Sequence, residues 1–386
     1  MAGPLDGIKV IELGVWVAGP AAGGIMADWG ADVIKIEPPT GDPARLFGRM
    51  LGLGDGSNPP FEMDNRSKRS IVLDLATAAG LAGARELISS ADVFVTNVRP
   101  DALRRLGLGY QEVAELNPGL VYGLITGYGE TGPDADRPAY DVAAFWARAG
   151  VADLLTRPGD TPPFQRGGMG DHMTGMSLVA AINAALVARA RTGVGQLVST
   201  SLYRQGAYTV SFDLNTFLLS GRPIAIGQRE SMGNPCMNNY LAGDGRRFWI
   251  VGLEPDRHWP PLCRAVGRPE WLTDDRFATA RDRAMHAREL IGMLDEVFAA
   301  KPLAEWAEVF AGEPELFWSP VNTMEDVIGD EQFYAAGGVV DVPAGKSSLP
   351  MIATPADFHG TPWAPRSVAP KLGEHTGEIL AELRGR

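Results

Sequence analysis

Residues 8–37 read IKVIELGVWVAGPAAGGIMADWGADVIKIE. Two short runs rich in Val and Ile, IKVIEL (8–13) and DVIKIE (32–37), flank a stretch of alanine and glycine. Apolar runs of this length bounded by glycine read as buried strands. AAGGIMADWG between them reads as a short helix. Strand, helix and strand within about 30 residues make a βαβ unit, whose strands run parallel. The alternation continues through SIVLDL (70–75), a helix over 77–90, DVFVTNV (92–98), two short helices in PDALRRLGL and YQEVAELNP, LVYGLIT (120–126) and LVSTSL (197–202). The expected fold is α/β, with a large Rossmann-like domain built on a parallel sheet. In such sheets ligands bind at the carboxyl ends of the strands.

Elsewhere the pattern is less regular. Residues 39–64 are rich in Gly and Pro and read as an irregular excursion, a candidate binding loop. AYDVAAFWARAG (139–150) and YRQGAYTVSFDLNTFLLSG (203–221) read as helices. HMTGMSLVAAINAALVARA (172–190) is apolar on nearly every side, which predicts a buried helix. Near residue 222 the character changes. PIAIGQRESMGNPCMNN is linker-like, RRFWIVGL a strand, and helices are expected over 255–266, 281–300 and 303–311. These form a smaller α+β domain over 225–330. Residues 1–205, completed by 345–386, form the large domain, and linkers fall at 205–225 and 330–345.

The 386 residues carry a net charge of −12, a poor basis for binding nucleic acid or an anionic membrane surface. Two cysteines, Cys236 and Cys263, make no disulfide framework, and the scattered histidines offer no metal-ligand spacing. No metal is expected. The N-terminus shows no signal peptide and the chain no run of 18 apolar residues, so a cytoplasmic location is expected. The first turn lacks the G-x-G-x-x-G spacing, AGKSS (344–348) lacks the first glycine of a phosphate loop, and G-x-S-x-G is absent.

GGMGDHMTGM (167–176) sets three glycines against Asp171 at the start of the long apolar helix. On composition a helix cap, worth about 1 kcal/mol, is the stronger reading of Asp171. The alternative is a nucleophilic carboxylate. Glycines let a substrate approach the backbone and free N–H groups for a developing oxyanion. A carboxylate so placed can attack an activated acyl group.

The chain resembles the family III CoA-transferases, the group of formyl-CoA transferase and carnitine CoA-transferase with α-methylacyl-CoA racemase as a related branch. The opening PLDGIKVIELG and VAGPAAGGIMADWGADVIKIEPPTGDPAR carries the likeness, followed by NRSKRSIVLDL, ADVFVTNVRPDALRRLGLGY, LNPGLVYGLITGYGETGP and LGEHTGEIL. It runs from about residue 4 to about 380. The resemblance implies that Asp171 is the nucleophile of a CoA transfer from an acyl-CoA to a carboxylic acid, through an aspartyl–acyl anhydride and an aspartyl-CoA thioester. Coenzyme A is then a substrate, with no tightly bound cofactor, and the protein an interlocked homodimer. Gly168, Gly170, Val17 and Tyr140 are expected around the acyl group.

Basic side chains in matching blocks are candidates for the anionic CoA: Arg45, Lys68, Arg69, Arg99 and Arg104, with Asn97 and Leu103 beside them. Arg104 and Arg105 diverge on a helix, so one of the two is expected to meet phosphate. Two departures matter. Formyl-CoA transferase has glutamine where this chain has Val17, and a long glycine-rich loop where it reads SMGNPCMNN, which points away from oxalate or formate. The racemase branch needs a histidine where this chain has Tyr140, a weak base near neutrality. A racemase and a non-catalytic acyl-CoA binder are the alternatives.

Overall fold

The strands expected from the Val- and Ile-rich runs assemble into one parallel sheet. They are β1 (Lys9–Leu13), β2 (Asp32–Glu37), β3 (Arg69–Val72), β4 (Val93–Thr96), β5 (Val121–Thr126) and β6 (Leu197–Ser201), in the order β3-β2-β1-β4-β5-β6. The computed structural model describes residues 3–54, 56, 58–224 and 228–385. The chain steps outward from β1 to β3 and resumes on the other side at β4. Winding therefore reverses between β1 and β4, which opens a crevice beyond their carboxyl ends.

Adjacent strand residues face opposite ways. Val10, Val33, Val93, Val121 and Ile125 meet helices α1 (Ala18–Asp28) and α6 (Met169–Thr192) on one side. Ile11, Ile34, Phe94 and Tyr122 face α3 (Ala78–Ser89), α4 (Pro100–Leu106), α5 (Tyr110–Leu116) and the C-terminal helix Thr376–Arg384. The short α2 (Pro59–Asn65) packs against α1. Thr77 caps α3 by accepting from the Gly80 N–H.

Helix α6 is long and apolar enough to suit a membrane span, yet it lies along α1 and β5. It was expected to be buried all round. The structure buries one face, through Gly170, Thr174, Gly175, Leu178, Val179, Ile182 and Ala185. The other face carries small residues and methionines, which read as apolar without being enclosed. At Gly175 a Cβ would lie 3.1 Å from Ala18 O and Ala22 N, so glycine lets α1 and α6 approach closely without either backbone giving way.

The chain forms two compact units, Met1–Ser220 with Gln332–Arg386, and Gly221–Glu331. The segment expected as a linker at 205–225 is helical over most of its length, in α7 (Leu202–Thr209) and α8 (Ser211–Ser220). The expected boundary at 225 lies outside the described residues, as do 55 and 57 of the 39–64 excursion. Residues 330–345 are not a plain linker either. β10 (Val339–Ala344) pairs antiparallel with β11 (Ser347–Ile352), and AGKSS forms the turn around Gly345 at φ 67°. The second unit holds an antiparallel sheet of β7 (Met237–Leu241), β8 (Arg247–Val251) and β9 (Trp318–Pro320). β7 arises within the stretch read as linker-like. Helices Pro255–Ala265, Ala287–Phe298 and Leu303–Ala311 cover a core that includes Phe248, Trp259, Phe298, Trp306 and Phe310.

Candidate active site

The crevice between β1 and β4 is closed at its floor by a reciprocal pair of hydrogen bonds. The Val15 N–H donates to Asn97 Oδ1 at 3.0 Å, and Asn97 Nδ2 donates to Val15 O at 2.8 Å. The next residue, Trp16, is held at φ 63°, a conformation that costs a non-glycine residue about 1–3 kcal/mol. Its N–H donates to Asp42 Oδ1 at 3.0 Å. Buried charges fix Asp42 in turn. Lys35 Nζ reaches Asp42 Oδ2 at 2.9 Å, Glu12 Oε1 at 2.8 Å and Gly14 O at 3.0 Å. Burial works against the charge on Lys35, but Glu12 and Asp42 outweigh it and raise its pKa. The turn that opens α1 is thus locked from beneath.

Opposite this turn, α6 begins at Met169 after Gly168, whose φ of 73° suits glycine. Asp171 is the third residue of the helix. It is not the cap that its neighbourhood suggested. The capping carboxylate comes from elsewhere: Asp141 Oδ2 accepts the N–H of Gly170 at 2.9 Å and of Asp171 at 3.3 Å, while Gln165 Nε2 holds Oδ1 at 2.8 Å. Asp141 leads into a π-helical turn, Val142–Arg148, which also brings Phe145 against Gly170. A Cβ at Gly170 would collide with both Asp141 and Phe145. Gly170 therefore serves docking. Its N–H is committed to Asp141 and is not available to an oxyanion, contrary to expectation.

The Asp171 carboxylate accepts no hydrogen bond among the described residues. Burial, then the charge of Asp141, push its pKa up to about 7, with a smaller push from Asp64; His172 pulls the other way. His172 Nε2 lies 2.9 Å from Asp64 Oδ1. Burial lowers the imidazole's basicity, but the bond and charge of Asp64 overcome this and raise its pKa.

Asp171 faces a cavity of about 130 Å³ bordered by Trp16, Val17, Asn97, Arg99, Arg137 and Tyr140. The structure thus gathers Asp171, Val17, Tyr140, Asn97 and Arg99, as the sequence suggested. Val17 is buried, while Tyr140 is exposed with its ring 6.1 Å from that of Trp16, edge to face. The first turn of α1 also opens here, through Ala18. Its leading N–H groups have no partner within the helix.

The other expected CoA ligands are placed differently. Lys68 is buried, and its Nζ is taken by Glu12 Oε2 at 2.6 Å, Pro20 O at 2.8 Å and Asn65 Oδ1 at 3.1 Å. Burial and Lys35 bring its pKa down to about 8 against the pull of Glu12. Arg69 opens β3, at the end of the sheet away from the crevice, and pairs with Asp32, Glu378 and Glu382. Arg45 is bidentate on Glu37, with Nη1 on Pro370 O at 3.1 Å. The Leu103 side chain is in the core. These four side chains brace the fold through contacts within the protein. Arg104 is exposed and pairs with Asp101 on its own helix; Arg105 is exposed as well. Arg137 was missed. It follows β5 in GPDADRPAY, a loop at a strand's carboxyl end, and that position was the available signal.

Comparison with known proteins identifies the family. The model of CoA-transferase family III matches residues 5–376. The chain belongs to CoA-transferase family III. It is 33% identical to (R)-2-hydroxy-4-methylpentanoate CoA-transferase of Clostridioides difficile, over 98% of this chain and 95% of that one. It is 36% identical to succinate–glutarate CoA-transferase of Agrobacterium fabrum, over 98% and 96%. A crystal structure of a CAIB/BAIF family protein from Brucella suis superposes with a TM-score of 0.86 at 34% identity, covering 99% of this chain and all of that one. As a family III enzyme, the protein transfers CoA between acyl-CoA thioesters and carboxylates. The racemase alternative would also need Asp141 as a base, and here Asp141 caps α6.

Proposed function

We propose that Asp171 is the nucleophile of this transfer. The observation that carries the reading is a carboxylate at the switch-point crevice that accepts no hydrogen bond among the described residues and whose pKa is raised. A desolvated carboxylate is a better nucleophile than a solvated one. Asp171 attacks the donor thioester carbonyl; the C–S bond breaks, leaving an aspartyl–acyl anhydride and CoA thiolate. The thiolate attacks the aspartyl carbonyl and expels the donor carboxylate, giving an aspartyl-CoA thioester. The acceptor carboxylate displaces CoA from that thioester to form a second anhydride. The thiolate then attacks the acceptor carbonyl, and Asp171 leaves as the free carboxylate. Each step exchanges acyl groups of similar activation, so the sequence balances without an added oxidant, reductant or phosphoryl donor.

The Ala18 N–H, in the first turn of α1 on the cavity wall, is the donor we assign to the oxyanion in each step. About 130 Å³ holds the reacting acyl end but not a nucleotide. The CoA phosphates therefore lie outside it, along Arg99, Arg137 and Arg104. Trp16, Val17 and Tyr140 give the acyl end an apolar wall, which favours an acid with an apolar body over oxalate. An exchange screen across carboxylic acids, read by mass, tests that preference.

A homodimer completes the proposal. Helix α8 buries none of its residues in this chain and exposes Phe212, Phe217, Leu218 and Leu219. An apolar surface of that kind marks an interface, and sedimentation velocity measures the mass. The nucleophile is tested with Asp171→Ala, which should abolish exchange. Hydroxylamine should also inactivate the native enzyme only after incubation with acyl-CoA. Undiminished exchange by D171A would overturn the assignment.

A further inference from the structure

His172 is conspicuous in having a partner but no part in the transfer chemistry. Its imidazole is fixed on two sides. Nε2 lies 2.9 Å from Asp64 Oδ1, on α2, and the Asp64 side chain is only 5% exposed. The opposite edge rests on the turn before the nucleophile, where a Cβ at Gly168 would lie 3.0 Å from the ring's Cε1 and 3.2 Å from Nδ1. The ring therefore sits between α2 and the turn that launches Asp171. Beyond it lies a separate, largely apolar cavity of about 490 Å³, bordered by Ile25, Met63, Met173 and Met176.

Three carboxylates gather at this point; the charge of Lys68 also acts on Asp64, but its Nζ is taken by Glu12, Pro20 O and Asn65 Oδ1. Asp171 is influenced by Asp141 ahead of the π-helical turn, by Asp64 on α2 and by His172 on its own helix; Arg99, Arg137 and Tyr140 border its cavity from the crevice. His172 is influenced by Asp64, Asp171 and Asp141. Arg66 borders the apolar cavity but is bound to Asp28 at 2.7 Å. Among the described residues, His172 is the one cation that hydrogen-bonds any of the three carboxylates Asp64, Asp141 and Asp171. Carboxylates crowded together in a poorly solvated place retain a proton unless a positive charge joins them. A protonated carboxyl cannot attack a thioester.

We propose that Asp64 and His172 form a positioning pair: the 2.9 Å contact from α2 fixes the imidazole against the Gly168 turn that launches Asp171, and the charge it carries there helps set the pH at which transfer begins. The proposal rests on Asp171 being the nucleophile. It adds two residues, one of them on α2, that touch neither substrate nor reacting atoms. The direction of each influence agrees: Asp64 raises the pKa of His172, and His172 lowers that of Asp171.

The test is the pH dependence of exchange by the full chain. His172→Gln should move the acid limb upward by about one pH unit, a roughly tenfold loss of rate on that limb, with the plateau at high pH retained. The double variant H172Q/D64N removes one positive and one negative charge and should bring the limb back toward the native position. His172→Lys keeps a cation and should leave the limb near its native pH. A native limb in H172Q, or a uniform loss of rate at every pH, would overturn the proposal. So would an H172K limb displaced as far as that of H172Q. If H172Q does not fold, the comparison of H172Q/D64N and H172K with the native enzyme decides the matter: a double variant shifted upward by the full unit would overturn the pairing. Failure of the nucleophile assignment is separate, since it requires exchange by D171A. An inactive D171A with an unmoved H172Q limb removes only the pair.

Discussion

Asp141 Oδ2 accepts the Gly170 N–H at 2.9 Å across 29 residues of sequence, and so caps the helix that carries Asp171. One carboxylate holds the helix end and, by its charge, makes its neighbour harder to ionise. Asp141→Asn should keep an accepting oxygen while removing that charge. The acid limb of the exchange profile should then move to lower pH. Asp141→Ala should lose the cap and about 1 kcal/mol of stability, read from the denaturant midpoint.

The raised pKa of Asp171 has a thermodynamic counterpart. The folded chain keeps this proton up to about pH 7, whereas the ordinary value is 3.8. Between those values the native state binds more protons than the unfolded one, so this group's contribution to stability is present below pH 3.8 and declines until the pH passes about 7. Asp171→Asn removes the dependence. It should melt higher than the native protein at pH 8 and close to it at pH 4, as scanning calorimetry will show.

Lys35 joins Glu12, Asp42 and the Gly14 carbonyl beneath the first turn. Lys35→Met would leave Asp42 buried without its cation and Glu12 with Lys68 alone. Removing one partner of such a group costs about 3–5 kcal/mol. Because Asp42 holds Trp16 in its unfavourable conformation, activity should fall even in the fraction that remains folded. Urea unfolding and exchange assays on the same samples separate the two losses.

Arg99 and Arg69 make opposite predictions. Arg99→Ala should raise KM for acyl-CoA by about five- to tenfold with little change in kcat, the loss expected of one charge-assisted contact to phosphate. Arg69→Gln should leave KM unchanged. It instead loses pairs with Asp32, Glu378 and Glu382, worth about 1 kcal/mol at such an exposed place. Initial-rate kinetics against thermal midpoints distinguishes them.

What could be read from the sequence followed the range of the interactions involved. IKVIEL, DVIKIE and LVYGLIT are legible as strands because burial on both faces favours Val- and Ile-rich runs, although Glu12 and Lys35 interrupt the first two as buried charges. The helix over 77–90 is legible in the sequence, and its cap is a local one, Thr77 reaching only to the Gly80 N–H. The cap of α6 was misassigned to Asp171 because the true donor of the carboxylate, Asp141, is remote in sequence. Lys68 and Arg69 looked like ligands because a basic residue in a favourable block does not reveal its partners. Those partners, Glu12, Asp32 and Glu378, lie far along the chain. The β10–β11 hairpin lies in VVDVPAGKSSLPMI, whose Gly-Lys turn is a hairpin signal not used in reading the expected strands. The π-helical turn at Val142–Arg148 has no local pattern of its own.

The last residues of the chain finish the edge of the first sheet. Ser367 O accepts from the Ser67 N–H at 2.9 Å, Arg366 Nη2 donates to Ala31 O at 2.7 Å, and the His375 N–H donates to Ser70 O at 3.0 Å. During synthesis these groups leave the ribosome after all of Gly221–Glu331 has emerged. The inserted unit has its whole sequence available first, while the unit bearing Asp171 must wait with β3 uncovered until residue 375 is free. A nascent chain stalled before residue 366 should therefore be cut by protease near Ser67 while Gly221–Glu331 resists, its nucleophile already made but its sheet unsealed.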